Sequence, residues 1–467
     1  MDRLKRIGEI KPKSTLEIKE SRLGLGMEKL DRNAFDPEKV YDKLAALGAK
    51  WIRLQSGWQK TETVEGVYDF SWLDAQVDAL IERNMTPWLC LSYGNRLYDP
   101  LAGEYFGAVG CPPIRDERTY GAWLRYVEAT VKHFSGRVEY YEIWNEPEGG
   151  WTWRPEPSPS EYTEFCIRTG RVIKAADPAA RIITGSHYQN SLEFFNAELA
   201  GGVLEIADAL SYHGYTYDET ESARRVRAIR ELSRYYGREL EIIQGETGSQ
   251  SKSGGGGAFG HIRTNPTMQA KYLLRHTVAE LIAGVKFTSV FSSVDMAENL
   301  DAKEGKPITV CGYFGLLGAE FDPSTGQLVG DYYEKPSYFA YRNLCSIFDE
   351  NVNPKELPLI VSSKKSKRID GRDCPVRDVV YGALSKANGS FALAYWNSTD
   401  MISVQDYEST TTIEIAGAFG EPRLVDPTDG SVYGLDGLFE DLGNGLYKFE
   451  NVPIKDYPLI IIFGDFI

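Results

Sequence analysis

Two glutamates in this sequence stand in settings suited to breaking a bond. Glu146 lies in the run Trp144-Asn145-Glu146-Pro147, and Glu246 lies in Gly245-Glu246-Thr247. Two carboxylates can divide the work of acetal hydrolysis. One keeps a proton for the departing oxygen, and the other stays ionised to meet the sugar carbon. Identical side chains take opposite protonation states only in different surroundings, so the fold has to bring them face to face and treat them differently.

The elements that would position them follow from apolar periodicity. Runs at 24–27, 51–54, 87–91, 138–144, 181–184, 207–212, 241–244 and 286–291 read as strands. Between and after them, amphipathic segments at 36–46, 71–83, 118–134, 160–176, 192–200, 221–236, 266–283 and 336–348 read as helices. Eight strand–helix units with right-handed crossovers predict an α/β fold, a closed (β/α)8 TIM barrel over 21–352. An open doubly wound sheet is the competing architecture. It wants a glycine-rich turn after its first strand, and Gly24-Leu25-Gly26 lacks the later glycine. The glycine run 254–257 follows a late strand by several residues and reads as an active-site loop rather than a phosphate cradle.

Past residue 353 the segments become short and alternating, at 357–361, 378–381, 391–395, 411–415, 446–449 and 459–463. The turn pairs Asn388-Gly389, Asp429-Gly430 and Asn444-Gly445 separate such segments, which predicts a C-terminal β-sandwich domain over 353–467. Residues 1–20 are expected to join that sandwich, with 14–19 as the added strand. In a barrel, chemistry gathers at the C-terminal strand ends. Glu146 follows the fourth strand and Glu246 the seventh, so the two carboxylates fall on opposite sides of one mouth.

Composition narrows the partners. The chain has 467 residues, 42% of them hydrophobic, enough for a large core. A net charge of −15 disfavours nucleic acid. Aromatic residues reach 12%, a surplus of flat apolar rings suited to sugar faces. Six cysteines without Cys-x-x-Cys spacing, and only five histidines, give poor support for a metal site, so free thiols and no metal are expected. No cofactor is implied. No run of eighteen apolar residues predicts a membrane span, and the charged start of the chain has no apolar leader. The expected location is cytoplasmic, unless a leader peptide precedes this sequence.

The strand-end motifs resemble those of the clan A glycoside hydrolases: Trp-Asn-Glu-Pro at 144–147, Glu246 after strand seven, His213-x-Tyr215 after strand six, and Arg53 after strand two. The run Gly66-x-Tyr68-Asp69-Phe70 and the trailing sandwich are most similar to family 39. The resemblance implies a retaining double displacement, with Glu146 as acid/base, Glu246 as nucleophile, and the carboxyl groups about 5–5.5 Å apart. It also implies an oligosaccharide or glycoside substrate of plant type, a xyloside or arabinoside.

Supporting roles follow, each beside a plainer alternative. Asn145 would hydrogen-bond the sugar 2-hydroxyl, or cap a turn. Arg53 and Tyr215 would hold Glu246 ionised and oriented, or Arg53 would pair a structural acid. His213 would orient the network or contact sugar, or be a satisfied core histidine. Trp58, Tyr93, Trp151 and Trp153 lie just past strand ends as sugar platforms or as core. Asn95 and His187 are polar contacts on the same reasoning, while Glu142 and Glu148 are weaker catalytic candidates. One departure stands out: strand eight reads 287–292 Phe-Thr-Ser-Val-Phe-Ser, where many clan members carry a tryptophan. The long segments 94–116 and 295–331 are expected to wall the pocket and favour exo action. Within the second, Glu298, Asp301 and Glu304 are possible substrate contacts, with solvated charge the default. The alternatives are an endo-acting β-glycanase of the same mechanism and a non-catalytic carbohydrate-binding protein.

Overall fold

The computed structural model describes residues 1, 3–189, 191–297, 311–363, 366–368, 373–374, 379–398 and 407–467. Eight parallel strands close into a barrel: β1 (Gly24–Gly26), β2 (Trp51–Gln55), β3 (Thr86–Leu91), β4 (Tyr140–Ile143), β5 (Arg181–His187), β6 (Ala209–His213), β7 (Glu241–Thr247) and β8 (Thr288–Val290). The surrounding helices are α1 (Tyr41–Leu47), α2 (Ser71–Glu82), α3 (Glu117–Phe134), α4 (Pro159–Ala176), α5 (Glu193–Ala200), α6 (Glu219–Tyr235), α7 (Pro266–Ala283) and α8 (Pro336–Ile347). Their starts are written in the sequence. Asp116, Ser158, Asp218 and Asn265 each accept a backbone N–H of the first turn, and Pro159, Pro266 and Pro336 fill first-turn positions whose N–H needs no partner.

The barrel floor is apolar. Trp88, Tyr140, Ile183, Ala209, Ile243 and Phe287 form a buried cluster against which Trp51 packs, its ring stacked on Phe287 at 4.2 Å. Side chains two residues further along a strand point the same way. Arg53 therefore stands above Trp51, and Glu142 above Tyr140. The Arg53 guanidinium lies 5.5 Å from the centre of the Trp88 ring. An ionic layer thus rests on an aromatic plug, and the C-terminal rim of the barrel rests on the ionic layer.

After the barrel come two antiparallel sheets. One runs in the order Arg6–Glu9, Ser431–Gly434, Arg423–Val425, Leu459–Phe463, Phe391–Asn397, Val379–Ser385 and Asn353–Lys355. The other is built around Tyr407–Ala416 and Leu446–Ile454. The N-terminal strand is Arg6–Glu9, which pairs with Ser431–Gly434; it is not 14–19. That later stretch is a turn tied to the barrel. The Thr15 hydroxyl donates to Arg83 O at 2.6 Å, and Thr15 O accepts from Lys50 Nζ and Asn84 Nδ2. Helix α7 is buried along nearly its whole length because the sandwich covers its outer side. Lys271 pairs with Asp456 at 2.9 Å, and Glu219 takes both Arg275 and the indole N–H of Trp396 at 2.7 Å.

Long connections also hold structure that periodicity missed. The segment after β8 contains a hairpin, Leu317–Phe321 with Leu328–Glu334. Glu298, Asp301 and Glu304 lie outside the described residues. Cys90, Cys111, Cys166 and Cys345 are free and buried. Among the described residues no helix is long and apolar enough to cross a membrane.

Candidate active site

Strand register carries Arg53 to the centre of the rim. In the ladder it faces Gly26 on one side and Trp88 on the other, and it is fully buried. Its Nε and Nη2 donate to Glu142 Oε2 at 2.9 and 2.5 Å, Nη2 also donates to Asn145 Oδ1 at 2.7 Å, and Nη1 donates to Glu246 Oε2 at 2.7 Å. Burial works against the guanidinium's charge, but Glu142, Glu246 and Glu28 hold its proton well above the usual range. Arg53 does pair a structural acid, Glu142, and it binds Glu246 as well.

Glu246 is the sixth residue of β7, so its backbone is fixed by the sheet and paired to His213. The Tyr215 hydroxyl donates to Oε1 at 2.6 Å, while Arg53 donates to Oε2. Both oxygens are thus occupied by donors, which favours negative charge and fixes the carboxylate plane.

Glu146 sits on a tighter backbone. Trp144 and Glu146 both have positive φ, 71° and 48°, on either side of Asn145. Such conformations cost about 1–3 kcal/mol each and persist only where surroundings enforce them. Here the enforcement is visible. Trp144 Nε1 donates to Thr152 O at 2.8 Å, Gly149 N donates to Glu146 O at 2.9 Å, and the Thr152 hydroxyl donates to the same carbonyl. The side chain meets His213 Nδ1 at 2.8 Å through Oε1, and accepts from Trp151 Nε1 at 3.3 Å through Oε2. Burial and the nearby Glu148 carboxylate push the Glu146 carboxyl up to about 8, so it keeps its proton at neutral pH. Burial drives His213 down to about 4, which keeps this imidazole neutral. With Asn145 Oδ1 taken by Arg53, its Nδ2 is the donor left for a ligand.

One ligand atom each of Glu146, His213 and Glu246 lies within 4.8 Å of the others. These are the donor types of a cation site, but Arg53 already supplies positive charge at Glu246. The two glutamates are each 9% exposed, whereas Arg53 and His213 are fully covered.

The remaining expected contacts divide. Trp151 is 36% exposed, touches Glu146 and lies 4.9 Å from Tyr188, so its ring is open to a ligand. Tyr93 is buried beside the site, with its hydroxyl accepting from Gln55 Nε2 at 3.2 Å and Arg32 over its ring. Trp58 and Trp153 are corrected to core. Trp58 is fully buried against Tyr98, Trp123 and Tyr126, and it donates to Glu62. Trp153 is fully buried among Trp144, Tyr162 and Phe165. Asn95 is also corrected: it donates to Glu62 O and accepts from Leu97 N, a turn that braces the 94–116 segment. His187 does not face a ligand, because it is clamped between Glu148 and Glu198.

Glu28 was missed. It follows β1, is buried, and its Oε1 lies 3.4 Å from Arg53 Nη1. Burial pushes it up to about 8, Arg53 opposes that, and Glu246 adds to it. Gly26 makes the room: a Cβ there would sit 2.0 Å from the Glu28 carboxylate. The signal available in the sequence was a glutamate two residues past a short glycine-flanked strand.

Solved structures share this architecture. A GH39 β-xylosidase from Caulobacter crescentus superposes with a TM-score of 0.58 at 16% identity, covering 98% of each chain. The chain has the fold of a GH39 glycoside hydrolase. A GH30 endoxylanase from Clostridium papyrosolvens gives 0.57 at 11% identity over 98% of each chain. A family 51 α-L-arabinofuranosidase from Bifidobacterium longum gives 0.55 at 12%, covering 99% of this chain and 98% of the other. No family model and no curated protein matches the sequence.

Proposed function

We propose that this protein is a glycoside hydrolase acting with retention, through a covalent glycosyl-enzyme. The observation that carries the reading is that one carboxylate oxygen of Glu146 and one of Glu246 lie within 4.8 Å of each other, in opposite electrostatic surroundings. Retaining enzymes hold their carboxyl groups roughly 5–5.5 Å apart and inverting ones roughly 6.5–9.5 Å, and the close approach of these two oxygens supports the former.

In the first step a Glu246 oxygen bonds to the anomeric carbon as the glycosidic C–O bond breaks. The proton of Glu146 passes to the leaving oxygen. In the second step water attacks the same carbon, Glu146 takes its proton, and the Glu246 ester bond breaks. Asn145 Nδ2 is the donor for the neighbouring sugar hydroxyl, a contact that strengthens as charge develops. Neither step requires a cofactor.

The proposed substrate is a pentoside, a xyloside or arabinoside, cleaved from a chain end. Support comes from the fold neighbours, which are named as a β-xylosidase, an endoxylanase and an arabinofuranosidase. Exo action is supported by the 94–116 segment, which packs beside Trp151: Arg154 N donates to Gly110 O, and Arg154 Nη1 to Val109 O, at 2.9 Å. The endoxylanase neighbour favours a second reading, endo action on a glycan, and product sizes from a xylan digest separate the two.

Replacing the nucleophile tests the mechanism. Glu246→Gly is expected to lower turnover of aryl xylosides or arabinosides by roughly 10⁴-fold or more. Added azide should restore turnover and appear in the product as a glycosyl azide. Turnover unchanged by the substitution would overturn the assignment of Glu246.

A further inference from the structure

Two residues past Glu146 begins a chain of buried ionisable groups that the two steps above do not use. Glu148 follows the acid by two residues and is buried. Its Oε2 meets His187 Nδ1 at 3.0 Å, and its Oε1 accepts from Gln189 N at 3.0 Å. His187 Nε2 meets Glu198 Oε1 at 2.5 Å, and Glu198 comes from α5 with no exposed surface. His187 is itself 2% exposed. Burial opposes its charge, but the two carboxylates outweigh that and raise it to about 9, so it is an imidazolium. Glu148 is the member of this chain nearest Glu146 in sequence, and the His187 imidazolium beside it holds its carboxyl below the usual range.

Such an arrangement is costly as pure scaffolding. Buried ions lose hydration, and well-packed apolar side chains of similar volume are often as stable or more so. The geometry points to a use: we infer that Glu148, fixed by His187 and Glu198, is a positioning residue that keeps the acid proton on Glu146. This rests on the glycosidase reading and deepens it.

Other charges around Glu146 pull in different directions. Lys29 after β1 and Arg53 on β2 favour its ionised form, as does the Trp151 indole N–H. Tyr93 after β3, Tyr188 after β5 and Tyr215 after β6 interact with it as neutral phenols, and His213 as a neutral imidazole. Glu246 is across the mouth, engaged by Arg53 and Tyr215. Glu28, also on Arg53, stays protonated near neutrality. Glu148 is the ionised carboxylate whose effect on Glu146 is largest after burial itself.

The test reads the proton without needing turnover. In protein labelled with ¹³C at glutamate carboxyls, the Glu146 resonance is assigned by its loss in Glu146→Gln and followed against pH. Glu148→Gln should move its midpoint down by about one pH unit, a tenfold change in proton affinity. Glu148→Asp, which keeps the charge, should leave it near the wild-type value. Should Glu148→Gln fail to fold, His187→Asn reads the same charge in reverse: Glu148 loses its counter-ion and the Glu146 midpoint rises.

Activity gives the parallel readout. For a glycoside with a poor leaving group, the alkaline limb of kcat/KM should shift down with Glu148→Gln, while an activated aryl glycoside is spared. An unmoved Glu146 midpoint, or an equal loss at every pH for both substrates, would overturn the inference. A moved midpoint in a protein that turns over no glycoside would support the inference and defeat the glycosidase reading instead.

Discussion

The two sides of the barrel mouth treat the same side chain in opposite ways. On the β2–β7 side, Glu246 receives one hydrogen bond from a guanidinium and one from a phenol, and its backbone lies in a regular strand. On the β4–β5 side, Glu146 is set on a backbone with positive φ, faces a neutral imidazole, and has a carboxylate two residues away. Donors stabilise an anion in the first case; burial and negative charge expel one in the second. The difference shows that the surroundings of each glutamate are set by its neighbours, and those neighbours come from different strands.

Removing the cation that sustains one side is expected to have the largest effect. Arg53→Met leaves Glu142 and Glu246 without the charge that both share, with Glu142 fully buried. Taking away one partner of a buried ion cluster typically costs about 3–5 kcal/mol. Urea denaturation should report a loss of that order, and turnover should fall with it because Glu246 loses a hydrogen bond. A stable and fully active variant would show that Arg53 does not distinguish the two sides.

The other side is broken more selectively. Glu146→Gln keeps size and polarity but cannot give up a proton. Turnover of substrates with poor leaving groups should fall by roughly 10²–10⁴-fold, with much less change for activated aryl glycosides, whose departure needs no proton. The wild-type pH profile carries the sign. Glu146 is raised to about 8, so its acid form is present below that pH and is lost as pH rises through it. The alkaline limb for poor leaving groups should therefore lie near pH 8 and vanish in Glu146→Gln. A limb that survives would assign it to another group.

How much of this arrangement could be read in the sequence depended on which forces act locally. The eight strands and eight helices follow from periodicity and caps, and Glu146 and Glu246 follow from standing at strand ends. Arg53 was legible too, because alternation along β2 places it inside. Glu198 was not. A glutamate in the last turns of a short amphipathic helix reads as solvated, and only the packing of α5 against the barrel turns it to His187. Glu28 escaped because β1 is only three residues long, too short to show an alternating pattern. Exposure of the aromatic residues was equally hidden, since it depends on how the 94–116 segment folds back over the rim.

That last point yields the smallest expected effect on activity and the sharpest contrast between a buried and an open aromatic ring. Trp58 and Trp151 both follow barrel strands closely in sequence, at β2 and β4. Trp58 has no exposed face, and its indole N–H is spent on Glu62 at 2.6 Å. Trp151 is open on one side and touches Glu146. Trp58→Phe should cost stability, about 1–3 kcal/mol from lost volume and an unpaired carboxylate oxygen, while kcat/KM at saturating fold stays within about threefold. Trp151→Phe should do the reverse, because it loses the indole donor on Glu146 Oε2 with little core disturbed. Thermal melts and kinetics on the same two variants read both quantities. If Trp58→Phe instead raises KM without lowering the melting temperature, the ring reaches substrate after all, and the wall formed by 94–116 must open during binding.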